Sequence, residues 1–135
     1  MLDGVHAAAI RLRPQGTPAV AGTPTQVAGW GLTTAGGFPA DVLMKADVPV
    51  IDSDECSALY EGDLRTYEIC AGTTDGAMDA CDGDDGGALV HNGTLVGVAT
   101  FGNSCGVPGK PGIYTDAAMY TTWIMQNSGA TATPA

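Results

Sequence analysis

The sequence predicts an all-β domain, an antiparallel barrel of six strands followed by one C-terminal α-helix. Three observations lead to this fold class. Short apolar and β-branched runs alternate with turn clusters along the whole chain. Twenty glycines and 8 prolines among 135 residues leave few stretches long enough for a helix. Apolar residues make up 44% of the chain, which suits one packed domain of this length.

The strands are predicted from alternating apolar residues and from the turns that bound them. The Asn92-Gly93 pair separates two such runs and is typical of a tight hairpin. Trp30 ends another run and is expected to lie in the core. Seven runs are predicted to be extended, and about six of them to form the barrel: 7–12, 26–30, 43–50, 67–71, 88–91, 94–101 and 113–115.

Two segments are predicted to be helical. Asp52 can cap a helix that extends to Tyr60, because Glu55 follows three residues later and apolar residues then share one face. A second helix is predicted at 117–126, where apolar residues recur at helical spacing. Residues 1–127 are therefore expected to form one domain, and residues 128–135 a disordered tail.

The charge balance excludes two classes of partner. Five lysines and arginines against fifteen acidic residues give a net charge of −10. Nucleic acids and anionic membranes both require a positive face, so neither is expected to bind. No apolar run approaches the ~20 residues of a membrane span. The N-terminus lacks a signal-peptide pattern, so any export signal is expected to precede Met1.

The four cysteines indicate an oxidising, extracellular setting, because their number is even and the chain is acidic and poor in lysine. No Cys-X-X-Cys motif occurs, and only His6 and His91 could join cysteines as zinc ligands. Two disulfides are therefore preferred to a zinc site, and neither a metal nor a cofactor is predicted. The sequon at Asn92 is a candidate glycosylation site, which fits a secreted protein.

The most informative segment is Cys81–Gly87, whose sequence is CDGDDGG. Its glycines allow unusual backbone angles, and their N–H groups can form a nest that binds an anion. A cation held by Asp82, Asp84 and Asp85 is a second interpretation, although the spacing does not match a calcium loop. From the residues alone, a solvated acidic turn is preferred.

Five motifs, in their order and spacing, resemble the trypsin-type serine proteases. They are VAGWG at 27–31, ICAG at 69–72, CDGDDGG at 81–87, GVATFG at 97–102 and PGIYT at 111–115. The resemblance extends over nearly everything from Ala7 to Ile124. It implies the Greek-key barrel of that family, and only the second of the family's two barrels.

The resemblance also implies that the catalytic residues are replaced. Asp85 stands where the family has its serine nucleophile, and a carboxylate has no proton for a base to remove. Its charge would repel the oxyanion, which the N–H groups of Gly83 and Asp85 would otherwise stabilise. His6 stands at the position of the catalytic aspartate. The catalytic histidine belongs to the first barrel, so all three triad residues are expected to be missing.

Two other arrangements could in principle support hydrolysis. His91 lies at the end of a predicted strand and is interpreted as an exposed histidine rather than a base. Asp84 and Asp85 could share a proton as a dyad, but adjacent residues rarely aim at one atom. Neither arrangement is expected to support hydrolysis.

Two more aspartates acquire roles through the resemblance. Asp79 matches the residue at the bottom of the primary specificity pocket, which pairs with arginine or lysine of the substrate. Its alternative role is to cap a loop turn. Asp84 matches the aspartate that receives a freshly released N-terminal amine, and it is expected to be unpaired in this chain. The pocket walls match Thr100, Phe101, Gly102 and Gly112.

Spacing and resemblance together imply two disulfides, Cys56–Cys70 and Cys81–Cys105. Each is expected to contribute roughly 3 kcal/mol in a chain-entropy estimate. A further pair common in the family would join the positions of Thr25 and His91. Neither is a cysteine here, so no lone thiol is left over.

The sequence therefore predicts that the chain is not an enzyme but a pseudoprotease that binds a protein partner. A secreted inhibitor or decoy of the glucanase-inhibitor type is the first hypothesis. The partner would be a hydrolase or the chain itself, because without a first barrel an apolar seam is left uncovered. The alternative is a fragment or inactivated variant of a secreted trypsin-like endopeptidase that cleaves after arginine or lysine. A truncated or designed single barrel is a third hypothesis.

Overall fold

The computed structural model describes residues 2–100 and 105–131. Its strands are β1 (Arg11–Leu12), β2 (Gln26–Gly29), β3 (Met44–Asp47), β4 (Val50–Ile51), β5 (Glu68–Ala71), β6 (Ala88–His91), β7 (Thr94–Ala99) and β8 (Gly112–Asp116). The helices are α1 (Ser53–Leu59) and α2 (Thr121–Ser128), and a 3₁₀ turn at Ala117–Tyr120 precedes α2. Every predicted strand run contains an observed strand, and the all-β prediction is confirmed.

The sheet closes into a barrel through the segment that holds β3 and β4. The strand order is β3-β2-β6-β7-β8-β5-β4, and all these neighbours are antiparallel. The N–H groups of Val48 and Val50 donate to the carbonyls of Thr25 and Thr23, which joins the two ends of this order. Pro49 interrupts the segment because proline has no N–H for a ladder. With β3 and β4 counted as one bent strand, and with β1 left out because it lies off this strand order, the barrel has six strands, as predicted.

The first strand departs from the antiparallel prediction. β1 pairs in parallel with β7, with Arg11 opposite Thr94 and Leu12 opposite Leu95. Only the end of the predicted run 7–12 is a strand. Residues 7–10 belong to no strand, and upstream of them the Asp3 carboxylate accepts hydrogen bonds from the N–H groups of residues 5, 6 and 7 in a turn.

The core lies inside the barrel and consists mainly of side chains from alternate strand positions. It contains Val27, Val48, Val50, Ile69, Ala71, Leu89, Val96, Ala99 and Tyr114. Trp30 is not part of it: 60% of this residue is exposed, so the prediction that it is a core residue is wrong. Trp30 follows the last residue of β2, and the chain turns outward there between Gly29 and Gly31.

Both predicted helices exist, with different ends. Asp52 caps α1 as predicted, since its carboxylate accepts the N–H groups of Asp54 and Glu55. The predicted helix at 117–126 begins as a 3₁₀ turn capped by Asp116 and continues as α2. α2 ends at Ser128, inside the predicted tail, with Gly129 in the left-handed conformation that commonly ends helices. Residues 132–135 lie outside the described residues.

Two disulfides stabilise the fold, and both predicted pairs are confirmed. Cys56–Cys70 joins α1 to β5, and Cys81–Cys105 joins the loop after β5 to the loop before β8. In the described part of the chain, neither helix is long and apolar enough to cross a membrane.

Candidate functional site

The loop that connects β5 to β6 forms one side of a pocket, and the segment before β8 forms the other. The disulfide between Cys81 and Cys105 links the two sides. Gly83 and Gly86 have φ of 95° and 81°, a left-handed region that glycine adopts without strain. The predicted Gly-rich turn is therefore a set of tight bends at the mouth of the pocket.

Asp79 lies half-buried at this pocket, with one of its two carboxylate oxygens unused. Oδ2 accepts the N–H of Gly106 at 3.1 Å. Oδ1 is buried and has no hydrogen-bond partner among residues 2–100 and 105–131. Burial raises the pKa of Asp79 above its usual range. The alternative prediction, that Asp79 caps a turn, explains one oxygen and leaves the other unexplained.

Gly112 provides the space beside this carboxylate. A Cβ added at Gly112 would lie 2.7 Å from Asp79 Oδ1, closer than atoms can approach. Thr100, another predicted wall residue, lines the same pocket and donates its hydroxyl to the carbonyl of Ile113 at 2.9 Å. The predicted wall residues Phe101 and Gly102 lie outside the described residues.

Tyr114 is a pocket residue that the sequence analysis missed. The residue is only 1% exposed, and its buried hydroxyl has no partner within the described ranges. Burial raises the pKa of Tyr114, and the charges of Asp79 and Asp84 raise it further. The enclosed part of the pocket measures about 30 Å³, enough for a water molecule. The PGIYT motif contained this tyrosine, but the motif was used only for the family resemblance and the predicted strand.

Asp84 forms no ion pair with any of the described residues, and both of its carboxylate oxygens accept backbone N–H groups instead. Its Oδ1 accepts the N–H of Gly31 at 2.9 Å, and its Oδ2 accepts the N–H of Cys81 at 3.1 Å. The carboxylate can approach this closely because Gly29 and Gly31 have no side chains: a Cβ at Gly29 would lie 1.9 Å from Oδ1. The sequence analysis missed both glycines as site residues, although both belong to the VAGWG motif at 27–31.

A second, larger cleft of about 470 Å³ adjoins the first pocket. Asp79 and Asp84 line both cavities, so the two carboxylates stand between them. The remaining walls of the larger cleft are largely apolar and include Val27, Leu32, Met44, Ala46 and Met78. A group that enters this cleft would meet an apolar surface with a carboxylate at its end.

The oxyanion-type residues lie at the outer rim. Asp85 is exposed and lines the first pocket. The N–H groups of Gly86 and Gly87 are used by the carbonyls of Ala99 and Asp84. By contrast, the N–H groups of Gly83 and Asp85 donate to no acceptor in the part of the chain that the structure describes. Two unused backbone donors near a pocket can bind an anion.

The two histidines are separate from these cavities. His6 is exposed and pairs with the carboxylate of Asp3 at 2.7 Å, and this hydrogen bond lowers the pKa of Asp3. His91 donates its Nδ1 proton to the carbonyl of Pro24 at 2.5 Å. Asn92 lies in the exposed hairpin turn beside it with φ of 47°. Neither histidine lines the pocket or the cleft.

Asp82 is the third aspartate of the cation site considered from the sequence. It is exposed, and its backbone carbonyl accepts the N–H of Leu32 at 2.8 Å. Among the described residues no group of three histidine, cysteine or acidic side chains could hold a metal ion. The cavities therefore combine carboxylates with apolar walls and unused backbone donors.

The chain is similar to known proteases over most of its length. The model of the family "Trypsin" matches residues 4–124. "Trypsin" from Saccharopolyspora erythraea is 42% identical over 110 residues, which cover 80% of this chain and 48% of that protein. "Serine protease 1" from Rattus norvegicus is 37% identical over 124 residues, 89% of this chain and 50% of that protein. "Trypsin 5G1" from Aedes aegypti is 39% identical, with 90% and 47% covered.

These comparisons correct one prediction and show how much of its relatives the chain covers. The prediction that the chain is not an enzyme is wrong, because the proteins it matches are named as trypsins and serine proteases. The chain spans about half the length of the curated relatives it matches. The matched residues 4–124 include the residues that line the pocket and the cleft.

Proposed function

The chain belongs to the trypsin family, and from this we propose that it supplies the primary specificity pocket of a secreted trypsin-like serine endopeptidase. In this proposal Asp79 binds the arginine or lysine side chain of a protein substrate. The two disulfides and the low lysine content support an extracellular location.

The unused oxygen of Asp79 is the observation that carries the proposal. A buried carboxylate oxygen without a partner is unfavourable, because water has been removed and nothing replaces its hydrogen bonds. A guanidinium or ammonium group would supply both the positive charge and the missing donor. The net charge of −10 would attract such a group before contact.

Two further features support a protease half. Asp85 lines the first pocket, and the N–H groups of Gly83 and Asp85 donate to no acceptor among the described residues, so in this proposal they donate to a substrate carbonyl oxygen. The apolar cleft that ends at Asp84 suits an apolar residue with a free N-terminal amine, which is the role that the family resemblance implies for this aspartate.

Benzamidine, an aromatic amidinium, tests the pocket. We expect the protein to bind it with a Kd in the millimolar to micromolar range, about 4–8 kcal/mol, typical of one ion pair with ring burial. Asp79→Asn should abolish this binding. Asp75→Asn, which removes the same charge from the same loop at an exposed position that lines neither cavity, should leave most of it. Equal loss in both variants would show that the cation binds the loop charge generally and would contradict the proposal.

A second candidate function is protein binding through an exposed apolar surface, as an inhibitor or decoy would require. Phe38 is 86% exposed, and Trp30, Val42 and Leu43 lie exposed on the same connection between β2 and β3. Beside them, a groove of about 340 Å³ is lined by residues that include Leu43, Ala88 and Val90. Contiguous apolar surface of this kind commonly marks an interface.

Gel filtration over a range of concentrations, combined with the apolar dye ANS, tests this second candidate. We expect dye binding and concentration-dependent association, and both should decrease in Phe38→Ser. A strictly monomeric protein that binds no dye would contradict it.

A further inference from the structure

Lys110 lies on the wall of the Asp79 pocket, yet its ammonium group points to a helix end. Nζ donates to the carbonyl of Leu59, the last residue of α1, at 2.6 Å. The same nitrogen lies 4.8 Å from the centroid of the Tyr60 ring. A carbonyl at a helix C-terminus and an aromatic face both attract a cation. The side chain of Lys110 is thus bound to α1 at two points.

Pro111, the residue after Lys110, is also bound at the C-terminal end of α1. The hydroxyl of Tyr60 donates to the carbonyl of Pro111 at 2.5 Å. Gly112 follows, and it is the residue whose missing side chain leaves room for Asp79 Oδ1. Tyr60 is also close enough for the charge of Asp79 to raise its pKa, in addition to burial. The pocket wall at 110–112 is therefore connected to α1 through consecutive residues.

The position of Lys110 also keeps its charge away from the carboxylates that share its pocket. No acidic oxygen lies within salt-bridge distance of Lys110 Nζ in the described ranges. A lysine free to rotate in a pocket with four aspartates would pair with one of them. Because Leu59 and Tyr60 bind the ammonium instead, Asp79 Oδ1 stays available.

We propose that Lys110 is a positioning residue of the specificity pocket, binding the wall at 110–112 to the C-terminal end of α1 so that Asp79 is left for the substrate cation. The proposal rests on the proposed function of Asp79. It predicts the direction in which cation affinity changes when Lys110 is replaced. If Lys110 only added positive charge to the pocket, its removal would strengthen the binding of a cation. If it positions the wall, its removal weakens that binding.

The test measures benzamidine affinity by calorimetry for the protein and three variants. Lys110→Met keeps the length of the side chain and removes its charge. We expect its Kd to rise about threefold to tenfold, as for the loss of one hydrogen bond and one cation–π contact. Lys110→Arg should restore most of the affinity. Arg65→Met removes a charge from an exposed position between α1 and β5 and should not change the Kd. Thermal melting identifies any variant that fails to fold.

Two outcomes would overturn the proposal. An unchanged or lower Kd in Lys110→Met, with binding still abolished by Asp79→Asn, refutes the role of Lys110 and leaves the role of Asp79 intact. If the unsubstituted protein does not bind benzamidine, the proposed function fails, and amide hydrogen exchange then decides the positioning role. Lys110→Met should increase exchange at Gly112 and Ile113, and unchanged exchange would refute it.

Discussion

Arg13 donates a hydrogen bond from its guanidinium to the carboxylate of Asp116, in a largely buried ion pair between the connector before β2 and the end of β8. Arg13 also donates to the carbonyls of Thr17 and Val96, and Asp116 accepts the N–H of Ala118 at the start of the 3₁₀ turn. The pair thus joins the N-terminal connector to the C-terminal turn on the outside of the barrel.

Asp116→Ala should destabilise the protein strongly, because it leaves the guanidinium of Arg13 buried without its partner. Removing one member of a buried pair typically costs about 3–5 kcal/mol of unfolding free energy. Urea unfolding measures the change. The double variant Arg13→Met with Asp116→Ala should lose less than the sum of the two single variants. Additive losses would show that the two side chains act independently.

Gly29→Ala should destabilise the loop at Asp84. The added Cβ would lie 1.9 Å from Asp84 Oδ1, so the carboxylate must move and lose its hydrogen bond to Gly31. We expect a cost of about 1–3 kcal/mol, as for overpacking of a close-packed site. In an Asp84→Ala background the clash is absent, and Gly29→Ala should cost clearly less. The same cost in both backgrounds would place the strain elsewhere.

Replacing both Thr25 and His91 by cysteine should produce a third disulfide. Gln26 is the partner of Val90 in the ladder, so Thr25 and His91 are the next antiparallel pair. Opposite residues in such a pair have Cα atoms about 4.5–5.5 Å apart, which a disulfide can bridge. Closing this long loop should stabilise the protein by up to roughly 4 kcal/mol.

Melting of the oxidised double-cysteine variant against the double variant Thr25→Ala with His91→Ala measures that gain, because Cys56–Cys70 and Cys81–Cys105 stay intact in both proteins. Both variants lack the hydrogen bonds of Thr25 to Val48 and of His91 to Pro24, so the comparison also corrects for their loss. Equal melting temperatures in the two variants would show that the bridge does not form or is strained.

The raised pKa of Asp79 makes stability depend on pH in the direction opposite to that of a paired carboxylate. Burial raises the pKa of Asp79 in the folded state above the value of about 3.9 that it has in the unfolded chain. At pH values between these two pKa values the folded protein therefore binds more protons than the unfolded chain. Stability attributable to Asp79 therefore falls as pH rises from the unfolded pKa through the folded one.

Asp79→Asn has no ionising group at this position, so its urea midpoint should exceed that of the unsubstituted protein at neutral pH. The difference should shrink as the pH is lowered below about 4, where the carboxyl group is protonated in both states. Benzamidine should reverse the order at neutral pH, because it binds only the ionised form. A difference that does not change with pH would contradict the assigned pKa direction.

Local chemistry in the sequence is sufficient to predict most of the barrel. Period-two runs locate the strands, the Asn92-Gly93 turn defines the β6–β7 hairpin, and Asp52 caps α1. Each of these features depends on residues a few positions apart. The family motifs added the disulfides and the place of Asp79 and Asp84 in one loop.

The contacts between distant segments could not be predicted in the same way. The hydrogen bond from Gly31 to Asp84 could not be predicted, since nothing near Asp84 in sequence shows that β2 ends against it with two glycines. The direction of Lys110 depends on where α1 ends, far earlier in the chain. Strand runs, turns, caps and half of the site thus follow from the sequence by itself, because they arise from short-range backbone chemistry. The partners of Asp84, Lys110 and Tyr114 were decided only when the barrel closed, because closure alone determines which distant backbone groups and side chains meet.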